Sequence, residues 1–219
     1  MQGESEDVLL RVRKALGRAT GTMTTPPQPP AIPDAIARMV AKDANLADVF
    51  EKSAKEQKIQ FSRNTGTEVP AAVVEFLRQH PIKRIALADS SLLQRLGVER
   101  ALADAGFEVK RWGQMSLDDL YDFDCAITDV QCAVAENATL VVKPSAHHGR
   151  GLSLVPMFHI AIVEQSQIMP DMIDLFAQVA ADPNRSNVIL ITGPSKTADI
   201  EMNVVTGVHG PNVVRVFLI

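Results

Sequence analysis

Apolar positions along the chain change period several times, and each change predicts an element. Val8, Leu9, Val12, Ala15 and Leu16 recur at helical spacing among arginines and a lysine, which predicts a helix over residues 4–18. Residues 20–33, TGTMTTPPQPPAIP, are rich in proline and threonine and predict an extended linker. Ile36, Met39, Val40, Leu46, Val49 and Phe50 then predict a long helix over residues 34–58, followed by a short strand over 58–61. The next helix spans 68–80, with Pro70 tolerated in its first turn.

Beyond residue 80 the pattern alternates. RIALA (84–88) reads as a buried strand, and Asp89-Ser90-Ser91 as the cap of a helix that runs to Gly106. Strands are predicted over 107–111, 125–129, 139–143, 159–163, 188–192 and 213–219, with helices over 116–121 and 170–181. Strands alternating with helices indicate an α/β fold, a mostly parallel sheet flanked by helices. Between 129 and 163 the helices disappear, which predicts a locally antiparallel insertion. The chain therefore divides into a helical N-terminal arm with its linker, residues 1–33, and an α/β domain, residues 34–219.

Composition narrows the function classes. Apolar residues make up 46% of the chain, enough for a core, yet no run approaches the roughly 20 residues of a membrane span. The N-terminal residues lack a hydrophobic signal core, which predicts a cytoplasmic protein. A net charge of −4 speaks against a general nucleic-acid binder. Cys125 and Cys132 are too few for a disulfide framework or a cysteine-ligated cluster. Cys125 lies in an apolar run and reads as buried, with Cys132 more exposed.

Candidate chemistry gathers at the predicted strand ends, where open α/β sheets bind ligands. Asp129 and Glu136, brought together by a strand, a polar turn and the next strand, are expected near one rim, where a carboxyl pair could transfer a proton. The alternative is a hydrogen-bonded corner. Gly193-Pro194-Ser195-Lys196-Thr197 turns the chain after ILIT, and Thr197 is suited to cap a helix over 198–207. Free N–H groups there, with the Ser195, Lys196 and Thr197 donors, could hold a carboxylate or phosphate. His209, between two glycine-bearing turns, could act as acid and base or fasten the turn. In the loop HHGRG, Arg150 could clamp a carboxylate, while His147 and His148 lack a third ligand at metal spacing, so no metal site is assigned.

Three stretches, AITDVQCAVAENATLVV, LSLVPMFHIAIVEQSQI and ITGPSKTADIEMNVVTGVHGP, together resemble the LUD-domain family, in particular its lactate-utilisation C branch. The likeness covers roughly residues 55–219. It implies a fold similar to that of sugar-phosphate isomerases and CoA transferases. It also implies work beside lactate-utilisation proteins A and B, which carry iron–sulfur clusters, in oxidising L-lactate to pyruvate; this chain itself would carry no cofactor. The family usually has Glu-Thr-Gly-Thr where this chain has Glu136-Asn137-Ala138-Thr139, so Ala138 lacks the freedom of a glycine to take positive φ. Two other readings stand beside the lactate one: an assembly or regulatory module docking through the arm, and a binder of a CoA ester, folate or sugar phosphate.

Overall fold

The computed structural model describes residues 2–17, 33, 37–183, 187–198, 204–206 and 209–219. The chain divides into two units, Met1–Ala37 and Arg38–Ile219. The first holds helix α1 (Gln2–Ala15), on which Val8, Leu10, Val12 and Leu16 are exposed around the helix end. The predicted linker over 20–33 lies outside the described residues, Pro33 excepted.

The second unit is built on a six-stranded sheet in the order β1-β12-β7-β4-β2-β3, parallel at every pairing. Its strands are β1 (Gln60–Arg63), β2 (Arg84–Leu87), β3 (Glu108–Arg111), β4 (Cys125–Asp129), β7 (Phe158–Val163) and β12 (Val213–Leu218). Parallel strands are covered on both faces, which is why CAIT and HIAIV are unbroken buried runs rather than alternating ones. On β7 the two faces separate with period two. Ile160 and Ile162 join Val73, Leu77, Leu93 and Leu102 in one core, whereas Ala161 and Val163 join Phe50, Leu140 and Val142 in the other.

The first core is capped by helices α3 (Val69–Arg78), α4 (Ser91–Leu96) and α5 (Val98–Asp104). The second lies under helix α2 (Leu46–Glu56) and a four-stranded sheet. That sheet has the order β8-β5-β6-β9, from β5 (Cys132–Val134), β6 (Thr139–Val142), β8 (Ile168–Met169) and β9 (Ile189–Ile191). β5–β6 is antiparallel, as expected between 129 and 163, and β6–β9 is antiparallel too, with β9 contributed from beyond that stretch. Helix α6 (Met172–Ala181) covers its far side through Leu175, which packs with Cys132, Val134 and Val141. Cys132 is therefore buried, contrary to expectation.

Four predicted helices differ, and the one expected over 116–121 is only a one-turn 3-10 helix, Asp119–Asp122. In the one expected over 34–58, Ala37 is helical but 38–45 are not, and α2 starts at Leu46, where the Asn45 side chain accepts hydrogen bonds from the N–H groups of Ala47 and Asp48. The helix expected to run to Gly106 is split at Gly97, which takes φ +70° and ends α4 while opening α5. Where a helix was expected over 198–207 with Thr197 as its cap, β10 (Lys196–Ala198) pairs antiparallel with β11 (Val204–Thr206). The run Val204-Val205-Thr206 is β-branched throughout and favours a pleated strand over a helix.

Candidate functional site

Strands β2, β3 and β4 are neighbours and end side by side. The chain leaves β2 toward β3 on one flank and leaves β4 toward β7 on the other, so the carboxyl ends of β2 and β4 form the crevice where such sheets bind ligands. Asp89 and Ser90 follow β2, Trp112 follows β3 and Asp129 ends β4. The loop after β6 crosses this rim, pinned where the Asp89 N–H donates to the His147 carbonyl at 3.0 Å.

On one side of that loop is a cleft of about 180 Å³, lined by Asp89, Ser90, Asp129, Lys143, His147 and His148. Ser90 Oγ donates to Asp129 Oδ2 at 2.7 Å and accepts from the Leu92 N–H at 3.2 Å, so it caps α4 and fixes the carboxylate together. Asp129 Oδ1 lies 3.6 Å from His148 Nδ1, an electrostatic contact longer than a hydrogen bond. Burial pushes the Asp129 carboxyl upward, but His148 and the Ser90 hydroxyl outweigh it and hold it below the ordinary value. His147 Nδ1 meets Asp89 Oδ2 at 3.0 Å and lowers that carboxyl too. Lys143 is neutralised by Asp182.

On the other side of His148 opens a groove of about 480 Å³, lined by Trp112, Leu117, Tyr121, Arg150 and Leu154, with Ser145 and His148 shared between the two spaces. Arg150 donates to the Asn187 side chain at 3.2 Å and makes no ion pair among the described residues, so its charge is uncompensated there. His148 is only 8% exposed, and its Nε2 is buried without a hydrogen-bond partner. Beneath this rim, His159 on β7 shares a 2.9 Å hydrogen bond with Thr128, while its Nδ1 has no partner. Burial, helped by His148, pushes the His159 ring down to about 3, so it is neutral.

The structure separates the residues singled out from the sequence into three places. Asp129 and Arg150 flank His148. Glu136 does not share a rim with Asp129, because β5 carries the chain away before the hairpin turns. Its backbone N–H donates to the Pro170 carbonyl, and its carboxylate accepts from the Met172 N–H at 3.4 Å, at the start of α6. Gly193, Ser195, Lys196 and His209 gather on a third surface. Gly193 has φ +96° against the Gln57 carbonyl, which Lys196 Nζ also reaches at 3.4 Å. The Ser195 N–H donates to the Pro211 carbonyl at 2.9 Å, and His209 is exposed beside them. Thr197 lies on β10. In the sequence His148 stood out only as one of two adjacent histidines without a third metal ligand, and Trp112 did not stand out; the HHGRG glycines were the available signal.

Among the described residues no group of three or more His, Cys, Asp and Glu is placed to hold a metal ion, and no helix is long and apolar enough to cross a membrane. The LUD domain family matches residues 39–219, which include the whole rim. The chain belongs to the LUD-domain family. A Lactate utilization protein C from Oceanobacillus iheyensis is 29% identical over 182 residues, covering 78% of each chain. One from an Exiguobacterium strain is 29% identical over 228 residues, covering 94% of this LUD chain and 91% of its own. A solved DUF162 family protein from Deinococcus radiodurans shares the fold, with a TM-score of 0.60 at 23% identity, over 82% of this chain and 99% of that one.

Proposed function

We propose that this LUD-domain chain works in lactate utilisation, as a subunit that binds L-lactate while iron–sulfur partners, the lactate-utilisation proteins A and B, accept the electrons of its oxidation to pyruvate. The names of the relatives support the pathway. The observation that carries the site is His148, set between the Asp129 carboxylate and a groove in which Arg150 makes no ion pair among the described residues. Oxidising a 2-hydroxy acid to the 2-oxo acid releases two electrons, to the partners, and two protons, one from the hydroxyl and one from C2. This chain offers a cation for the carboxylate and a base for the hydroxyl proton, while the C2 proton leaves on the partners' side. Arg150 supplies the first. His148, oriented by ionised Asp129, supplies the second and would gain in the hydroxyl the partner that its Nε2 lacks. Cys125 and Cys132 are both buried with their thiols pushed upward, Cys132 to about 11, and do not make a cluster-binding set. This chain's share is therefore binding, orientation and proton uptake.

The test is lactate-dependent dye reduction by the two iron–sulfur partners, with and without this chain. His148→Gln and Arg150→Gln should each lower the rate at least ten-fold with the assembly intact. Glu136→Gln, Ser195→Ala and His209→Gln test the residues favoured from sequence and should lower it less than three-fold. Full activity without the chain, or with His148→Gln, would remove the catalytic-subunit reading. An assembly role through the exposed apolar residues of α1 would then take its place.

A further inference from the structure

The groove beside His148 is far larger than lactate requires. Lactate has six non-hydrogen atoms and a methyl side chain, whereas spaces of about 300–1,000 Å³ enclose drug-sized ligands, and this one measures about 480 Å³. Its wall is apolar and open: Leu117 is 56% exposed, Tyr121 73% and Leu154 45%, with Trp112 and Val155 beside them. Large apolar side chains exposed singly are ordinary, but a set of them facing one concavity marks a binding surface. Two glycines tie this wall to the charged loop. A Cβ on Gly149 would stand 2.1 Å from the Trp112 indole, and one on Gly151 would stand 2.6 Å from Leu120 and 3.0 Å from Leu117. The Gly-Arg-Gly backbone thus lies directly on the aromatic and aliphatic wall, with Arg150 between the glycines and the His148 imidazole, its Nε2 unpartnered, just before them.

From this geometry we infer that the site is built for 2-hydroxy carboxylates carrying a large apolar or aromatic side chain, not for the methyl of lactate alone. The carboxylate pairs with Arg150, the 2-hydroxyl meets His148, and the side chain lies on Trp112, Leu117 and Tyr121. The inference deepens the proposed function and rests on its assignment of the site. A bare carboxylate would find its cation here but leave the apolar wall wet. A purely apolar ligand would leave the arginine unanswered. Only a ligand with both features satisfies the groove.

The experiment titrates the full chain with L-lactate, L-3-phenyllactate and 3-phenylpropionate, which lacks the hydroxyl. Calorimetry gives affinities, and the emission of Trp112, the single tryptophan in the sequence, reports the groove. L-3-phenyllactate is expected to bind at least ten-fold more tightly than L-lactate, to shift Trp112 emission, and to exceed 3-phenylpropionate at least five-fold. Arg150→Gln should weaken it at least ten-fold. Tyr121→Ala, at a largely exposed position, should weaken phenyllactate at least five-fold more than lactate. If lactate binds as tightly as phenyllactate, the inference is overturned while the lactate reading stands. If phenyllactate alone binds, and does so through Arg150, the inference stands and lactate is lost as the ligand. If neither binds, or if both variants bind phenyllactate like the parent chain, the inference fails together with the site assignment.

Discussion

Replacing His159 by Gln should flatten the acid limb of the stability curve. His159 has no exposed surface, and burial, with a smaller contribution from His148, pushes its ring from 6.5 down to about 3. In the unfolded chain the ring protonates near its ordinary value. Between those two values the unfolded chain binds one more proton than the folded chain, so stability falls as pH drops below about 6.5, and the loss is complete near pH 3. The linkage relation gives a loss of about 2 kcal/mol between pH 7 and pH 5 from this group alone. The Gln variant keeps a polar group for Thr128 but no titrating ring, so its loss over the same interval should be smaller by about that amount.

Urea denaturation at pH 5, 6 and 7, followed by far-ultraviolet circular dichroism and Trp112 emission, measures this directly. At a slope of about 2 kcal/mol/M, the extra loss in the parent chain appears as a midpoint shift of about 1 M. Other ionisable groups are common to both chains and cancel in the difference. The interval at pH 5 also stays above the range in which ordinary carboxylates dominate. Parallel curves for the two proteins, within about 0.5 kcal/mol, would refute the claim that the folded core holds this imidazole neutral.

Other perturbations follow from particular contacts. Gly193→Ala should cost at least about 2 kcal/mol in chemical denaturation, because φ is +96° and the new Cβ would meet the Gln57 carbonyl oxygen at 2.6 Å. Ala138→Gly should leave stability within about 0.5 kcal/mol, since relief of about 1 kcal/mol at φ +56° is offset by the loss of a fully buried methyl worth about 0.8 kcal/mol. Asp171→Ala should lower the melting temperature by roughly 4–8 °C, for about 2 kcal/mol. That change removes the α6 cap on the Asp174 N–H and a 2.7 Å ion pair to Arg38.

The fold was legible where burial is continuous. CAIT and HIAIV are buried at every position, and apolar but for Thr128 and His159, because parallel strands are covered twice, and that pattern shows in the sequence without reference to any partner. The second sheet was harder. β8 has two residues and β5 three, too short for a period to register, and their pairing joins positions more than thirty residues apart. Among site residues, Asp129 and Arg150 stood out because a carboxylate at a strand end and an arginine between glycines are local signals. His148 did not, because its meaning comes from the loop after β6 lying across the end of β2, a contact that joins His147 to Asp89. Ala138 was read as closed to positive φ, yet it adopts φ +56°: a tight hairpin between β5 and β6 imposes the left-handed conformation that a glycine usually supplies.

Ser90 shows why a structural and a chemical reading of one residue need not compete. As an N-cap it accepts the Leu92 N–H, which orients its hydroxyl proton away from the helix and toward Asp129. The helix cap therefore supplies the donor that helps keep Asp129 ionised, and ionised Asp129 in turn faces Nδ1 of His148. A chain of contacts runs from the start of α4, through one hydroxyl and one carboxylate, to the imidazole on the groove. Each link is short-range and set by strand order, since only adjacent parallel strands bring the ends of β2 and β4 together. The reactivity proposed for His148 thus rests on the feature that fixes the fold, the crevice where the chain turns in opposite directions from β2 and β4. A mutation that disturbs the cap is in consequence a mutation of the site.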